Sequence, residues 1–181
     1  VLAIIIPAYN EENSIADVVQ SVISIASKNN LQSEIIVVND CSSDRTGDIA
    51  ETLSCTTLHL PVNLGIGGAM QTGFKYAFEN NFDFAVQVDG DGQHPAEEIP
   101  KLFLAMKEKN LDVAIGSRFI SKEGFQSSAM RRTGINWFRW INKFLVGMDI
   151  KDSTSGFRMI NKKTLAIVSE IYPDEYPEPE A

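Results

Sequence analysis

Phe82-Asp83-Phe84-Ala85-Val86-Gln87-Val88-Asp89-Gly90-Asp91-Gly92-Gln93-His94-Pro95 begins as an apolar run and ends abruptly in two carboxylates one residue apart. Phe82 to Val88 reads as a buried strand. If it runs through the centre of an α/β sheet, Asp89 and Asp91 emerge at its carboxyl edge, where such sheets bind ligands. Neighbouring carboxylates repel unless something positive sits between them, and a hard divalent cation with open positions for phosphate oxygens meets that need. Asp-Gly pairs are also ordinary turn chemistry. An EF-hand loop starts in the same way, but it requires Gly where His94 stands and Glu where Pro100 stands. The stretch therefore points to a metal-assisted nucleotide or phosphate site, a reading strengthened by ligand-like loops after other predicted strands.

Outward from this strand the chain alternates. Leu2 to Ile6 is a β-branched run stopped by Pro7, and Asn13-Ser14 precede a helical stripe of Ile15, Val18, Val19, Val22, Ile23 and Ala26. Glu34 to Val38 and Thr57 to Leu60 read as strands on either side of a short helix from Thr46 to Leu53. Gly65 to Gly68 open a helix carrying Ala69, Phe74, Ala77 and Phe78. Pro95 opens another whose core face is Ile99, Leu102, Phe103 and Met106, followed by a strand over Asp112 to Gly116. Strand and helix in alternation predict parallel pairing through right-handed crossovers, hence an α/β fold with three α/β/α layers and a mostly parallel central sheet. After Gly116 come a polar loop, a helix from Met130 to Val146, a short strand at Met159-Ile160 and a last helix from Lys163.

With 181 residues, the chain predicts one domain over 1–171. Residues 172–181 mix Asp174, Glu175, Glu178 and Glu180 with Pro173, Pro177 and Pro179, and read as an acidic, Pro-rich segment at a truncated domain end. Lysine and arginine number 16 against 24 acidic residues, a net charge of −8, which argues against nucleic acid as a partner. Cys41 and Cys55 supply neither a disulfide framework nor a zinc spacing, so a reducing, cytoplasmic compartment is expected. No apolar run approaches the roughly 20 residues that span a bilayer, and a chain opening in a strand without Met reads as an excised domain.

Gly65-Ile66-Gly67-Gly68-Ala69-Met70 starts like a dinucleotide fingerprint, but Met70 stands where close helix packing wants Gly or Ala; Gly68 to Gly73 starts like a P-loop, but Phe74 stands where its lysine belongs. The plain reading is a helix start that lets backbone approach something bulky, the nucleotide being one candidate.

Pro7-Ala8-Tyr9-Asn10-Glu11-Glu12, Val37-Val38-Asn39-Asp40-Cys41-Ser42-Ser43-Asp44-Arg45-Thr46, Asn63-Leu64-Gly65 and Asp89-Gly90-Asp91-Gly92-Gln93-His94-Pro95 occur in the order seen in family 2 glycosyltransferases. The chain resembles their nucleotide-sugar-dependent, GT-A-like catalytic domain. Gly116-Ser117-Arg118-Phe119 and Asp152-Ser153-Thr154-Ser155-Gly156-Phe157-Arg158 resemble the branch of dolichyl-phosphate mannosyl- and glucosyltransferases and bacterial polyprenyl-phosphate relatives.

The resemblance implies a UDP-, GDP- or dTDP-linked sugar donor and a Mg2+ or Mn2+ ion held by Asp89, Asp91 and Gln93, where it would neutralise the departing diphosphate. Asp40 would accept the ring N–H of a uracil or guanine base, with turn or helix capping as its alternative role. Pro7, Tyr9 and Glu11 would line the base and ribose pocket, Glu11 alternatively capping the next helix, with Gly65, Gly68 and Gly90 among the donor contacts. Asn39 and Cys41 replace the family's usual Asp and Gly, and Cys41 enters left-handed backbone less cheaply than Gly. Arg118 would face the donor diphosphate or an acceptor phosphate, or form a surface ion pair, and Arg131, Arg132, Ser155 and Arg158 would add phosphate contacts.

Arg132, Asn136, Arg139 and Lys143 draw a cationic stripe beside Ile135, Trp137, Phe138, Ile141, Phe144 and Leu145. Such a helix can lie at a membrane interface or pack on its own domain. His59 and His94 lack a nucleophile partner, which fits the direct, inverting displacement that the resemblance implies; a polyprenyl phosphate, the acceptor of the branch it resembles, would need no general base. A glycan hydroxyl acceptor would need one, for which Asp152 is the candidate. A sugar nucleotidyltransferase would carry a Gly- and Lys-containing phosphate loop after the first strand, absent from Pro7 to Glu12; a non-catalytic nucleotide-sugar-binding domain stays open.

Overall fold

The computed structural model describes residues 1–92, 96–116 and 156–171. In chain order the elements are β1 (Leu2–Ala8), α1 (Ile15–Lys28), β2 (Ser33–Asn39), α2 (Thr46–Glu51), β3 (Thr56–His59), α3 (Gly65–Glu79) and β4 (Phe84–Gln87). A 3-10 turn (Ala96–Glu98) then leads into α4 (Ile99–Lys109), followed by β5 (Val113–Ile115), β6 (Arg158–Asn161) and α5 (Lys162–Glu170). The helix expected over 130–146 and the segment 172–181 lie outside the described residues.

The described strands form one mixed sheet in the order β3-β2-β1-β4-β6-β5. β1 pairs in parallel with β2 and β4, and β2 with β3. All seven residues of β1 are buried, the condition under which a strand reads as an unbroken apolar run. Alternation divides its side chains between two cores. Leu2, Ile4, Ile6 and Ala8 join Val19 and Val22 of α1, Ala50 of α2 and Ile99 and Met106 of α4 on one face. Ala3 and Ile5 join Met70, Phe74 and Ala77 of α3 and Leu165 of α5 on the other. The three-layer α/β/α expectation holds.

Two local expectations are corrected, and a third gains its direction. Pro7 does not stop β1, which runs on to Ala8. Ile5 presents its carbonyl to β4, taking the Val88 N–H at 2.9 Å, so the nitrogen of Pro7, two residues on, faces the same side. There the ladder ends at Gln87, because the next donor toward β4 would be the nitrogen of Pro7, which carries no hydrogen. Leu102 and Phe103, expected on the core face of α4, are only half-buried, and Phe78 of α3 is exposed. The short strand at Met159-Ile160 is present as β6, but it is antiparallel and sits between β4 and β5, so the carboxyl ends of β4 and β5 are separated by a strand entering from the same edge.

Met70 is fully buried, and the close helix-to-sheet approach is made instead at Gly73, where a Cβ would lie 2.4 Å from Ile5 Cγ2. Gly73→Ala is expected to lower stability by roughly 1–3 kcal/mol through overpacking, even though alanine alone would favour the helix by about 1 kcal/mol. Ile5→Leu, which removes the γ2 methyl, should restore part of that loss in thermal denaturation of the double variant.

Candidate active site

The parallel strands β1, β2 and β4 deliver three loops to one edge of the sheet, and polar contacts lace them together. Asp40 follows β2 and is 3% exposed. Its N–H donates to the Ala8 carbonyl at 2.9 Å, and its Oδ1 accepts the Leu64 N–H at 2.7 Å, which ties the start of α3 to the ends of β1 and β2. Asp40 Oδ2 has no protein donor among the described residues and is not a buried orphan, so it faces the solvent side of this edge.

The loop after β1 is clamped to the loop after β2. Asn10, with a φ of 56°, donates its N–H to Ser42 Oγ at 3.0 Å, and its Oδ1 accepts the Ser43 N–H at 2.9 Å. The buried Thr46 hydroxyl accepts the Glu11 N–H at 2.7 Å. Asp44 accepts the Glu12 N–H at 3.1 Å and the Thr46 N–H at 2.9 Å, and accepts a hydrogen bond from the Thr46 hydroxyl as well. Partial desolvation raises the Asp44 pKa, but the Thr46 hydroxyl and the Thr46 and Glu12 N–H donors outweigh it and hold the carboxyl below the ordinary 3.8. Glu11 directs its carboxylate to the Ser14 hydroxyl, while its carbonyl accepts the Ser14 and Ile15 N–H groups at the start of α1.

The acidic loop closes on the same edge. Gly90 lies against β1 so tightly that a Cβ would stand 2.9 Å from the Pro7 carbonyl oxygen, 3.5 Å from Glu11 Cγ and 3.6 Å from Ala8 Cβ. Asp89 is half-buried and accepts the buried Gln87 amide at 3.0 Å, whereas Asp91 is exposed. Two carboxylates with no soft donor suit a hard cation that keeps positions for water and phosphate oxygens. No group of three or more His, Cys, Asp or Glu suited to a metal occurs among the described residues.

The expected site residues therefore divide. Pro7, Tyr9, Glu11, Asp40, Asp89, Gly90 and Asp91 share this edge, Pro7 as buried backbone and Tyr9 as a side chain 50% exposed. Gly65 adopts a φ of +72° with open space around its Cβ direction, while the room left by Gly68 is taken by Leu64 of its own turn. Arg158 opens β6, where the Val86–Met159 pairing brings it to the same edge beside β4. Gln93, Arg118, Arg131, Arg132, Asp152 and Ser155 lie outside the described residues. The Gly116 N–H donates to the Phe157 carbonyl at 2.8 Å, so the chain leaves before Arg118 and returns after Ser155 at adjacent points. Sequence reasoning missed Asn10, Asp44 and Thr46 as the clamp; Asp44-x-Thr46, an acceptor two residues before a helix-starting hydroxyl, was the available signal.

A model of glycosyl transferase family 2 matches residues 3–167. The chain belongs to that family. Among relatives of this family 2 domain, an undecaprenyl-phosphate mannosyltransferase of Micrococcus luteus is 31% identical over 170 residues, 91% of this chain and 68% of the relative. A UDP-N-acetylglucosamine–dolichyl-phosphate N-acetylglucosaminyltransferase of Methanococcus voltae is 31% identical over 185 residues, 92% of this chain and 72% of the relative. A Mycobacterium tuberculosis glucosyl-3-phosphoglycerate synthase, solved with Mn2+, UDP and glucosyl-3-phosphoglycerate, matches at TM-score 0.65 and 18% identity, over 90% of this chain and 57% of that one. The chain thus spans little more than half of that solved structure, with which it shares the GT-A fold.

Because its pKa is depressed by folding, Asp44 contributes stability that is fully present above the unfolded carboxyl value and is lost as pH falls through the lower folded one. Melting curves of this family 2 domain recorded from neutral pH to about pH 2 should show an acid-side decline that is shallower in Asp44→Asn, with Asp44→Asn melting lower at pH 7.

Proposed function

We propose that residues 1–171 form the catalytic domain of an inverting hexosyltransferase that takes a sugar from a nucleoside-diphosphate donor and places it on a polyprenyl phosphate. The observation that carries the reading is the convergence of Asp40 and the Asp89-Gly90-Asp91 loop on the edge shared by β1, β2 and β4, with Gly90 pressed against the Pro7 carbonyl. Asp40 Oδ2 is available to a base N–H, and Tyr9, half exposed just after β1, is a candidate to meet the base or ribose. Asp89 and Asp91, with Gln93, would hold Mg2+ or Mn2+ against the diphosphate, and the ion, when bound, neutralises charge that develops on the leaving group.

The acceptor assignment rests on the two sequence relatives, whose names specify undecaprenyl and dolichyl phosphates. A phosphate oxygen of such an acceptor attacks the anomeric carbon as the bond to the diphosphate oxygen breaks, and the nucleoside diphosphate departs with that electron pair. The acceptor is already an anion, so the chain need supply no proton acceptor, only cationic side chains to orient it. Arg158 stands at the correct edge, and Arg118, Arg131 and Arg132 are further candidates by sequence. No helix among the described residues is long and apolar enough to cross a membrane. The cationic and aromatic stripe in the sequence from Met130 to Val146 suits contact with the cytoplasmic face, where a lipid phosphate would be met.

Calorimetric titration with UDP, GDP and dTDP, each with and without Mn2+, should show one nucleotide preferred and its affinity increased by the metal. Binding of none, or of all three equally without metal, would overturn the proposal. Asp91→Asn should melt with the wild type yet lose at least about 100-fold in sugar transfer to undecaprenyl phosphate. Gly90→Ala, by pushing the acidic loop off β1, should reduce the same rate by roughly 100-fold with both carboxylates intact; nucleotide binding without transfer in the wild type would mark a binding domain instead.

A further inference from the structure

Asn39 and His59 end β2 and β3 as register partners. Asn39 Nδ2 lies 3.1 Å from His59 Nδ1, and His59 Nε2 lies 2.9 Å from Glu51 Oε1 of α2. The chemistry of the partners orients this chain. The Ser42 N–H can only donate, and it reaches Asn39 Oδ1 at 3.1 Å, so the amide turns its oxygen to Ser42 and its NH2 to the imidazole. An NH2 requires a lone pair opposite, which leaves Nδ1 unprotonated and places the imidazole proton on Nε2, where the Glu51 carboxylate accepts it.

The surroundings are cut to this pair. A Cβ at Gly47 would fall 2.6 Å from Asn39 Nδ2 and 3.0 Å from His59 Cε1, so only glycine leaves the contact room. Asn39 is 7% exposed, and leaving its NH2 unmatched there carries the penalty of a buried orphan donor. The Ser42–Asn39 bond in turn closes the turn in which Cys41 holds a left-handed φ of 57°, a conformation that persists in a non-glycine residue only when its surroundings impose it. Asp40 sits inside that turn, between Asn39 and Cys41.

We propose that Asn39, His59 and Glu51 form a positioning relay that sets the Asp40-Cys41-Ser42 turn of the nucleotide site through the neutral, Nε2-protonated form of His59. The nucleotide part of this inference rests on the reading of Asp40 as the base acceptor. A second proton on Nδ1 would face the Asn39 NH2, donor against donor. The amide would then turn over and present NH2 to the Ser42 N–H, opening the turn. Glu51 is the charged group on the ring from α2, β2 presents the neutral Asn39, and residues 60–64 carry no ionisable side chain. Arg45, at the other end of α2, lies 3.6 Å from Glu12. The His59 side chain is 44% exposed, so protons reach it.

Nitrogen-15 NMR of the histidine-labelled chain at neutral pH should show His59 with Nδ1 unprotonated and Nε2 protonated. As acidification adds the second proton to His59, the Cys41 and Ser42 amide signals should move in step with its ring signals. In His59→Asn, whose side-chain oxygen can stand where Nδ1 stood, those amides should keep their neutral positions through the same range, and affinity for the preferred nucleotide should stay within about threefold of wild type. His59→Leu should displace both amides and weaken the nucleotide roughly five- to thirty-fold. An Nδ1-protonated neutral ring, amides indifferent to His59 protonation, or a His59→Leu protein that binds as tightly as wild type would overturn the relay. If the wild type binds no nucleotide, the functional proposal falls, and the tautomer and amide shifts alone decide the relay.

Discussion

β1 is hydrogen-bonded in parallel on both sides and sealed by helices on both faces, and the geometry of the site follows from that placement. Parallel neighbours point the same way, so the loops after β1, β2 and β4 must emerge together. Burial of Leu2, Ile4, Ile5 and Ile6, each worth about 1.5–3 kcal/mol, holds the strand in register far more strongly than any single polar contact at its end. The Ile5–Gln87 and Ala8–Asn39 pairings then put Asp89 and Asp40 within one or two residues of the same edge.

Apolar burial cannot shape the loops beyond that edge, because they face water. There the chain uses donors and acceptors from its own backbone. Asn10, Asp44 and Thr46 bind the first two loops to each other, Asp40 binds the start of α3, and Gly90 admits the acidic loop to within contact of Pro7. The division of labour is physical: hydrophobic packing is strong but undirected, while hydrogen bonds are weaker net contributors that set angles and positions. The antiparallel insertion of β6 gives this edge a far wall. Since β6 enters where β4 ends, the chain beyond Gly116 departs and returns beside the carboxylates.

Much of this was legible from residue order alone. The unbroken apolar runs of β1 and β2, the helical stripe from Ile15 to Ala26, and the abrupt passage from Val88 into Asp89-Gly90-Asp91 specify a layered α/β sheet with acids at its edge, since burial on both faces and helical periodicity leave direct marks in sequence. Asp40 was legible as a strand-end carboxylate. The clamp was less so, because Asn10, Asp44 and Thr46 gain their roles from partners roughly thirty residues away, a separation that local pattern does not encode.

The sequence by itself determined the class of fold, the apolar faces and the family, because periodicity and motif order are properties of neighbouring residues. Only the tertiary structure decided that Pro7 stays inside its strand, that β6 is antiparallel between β4 and β5, and that Asn39 meets His59 over Gly47. Each of these depends on which backbone groups face one another across the sheet, and that pairing exists only once the chain has folded.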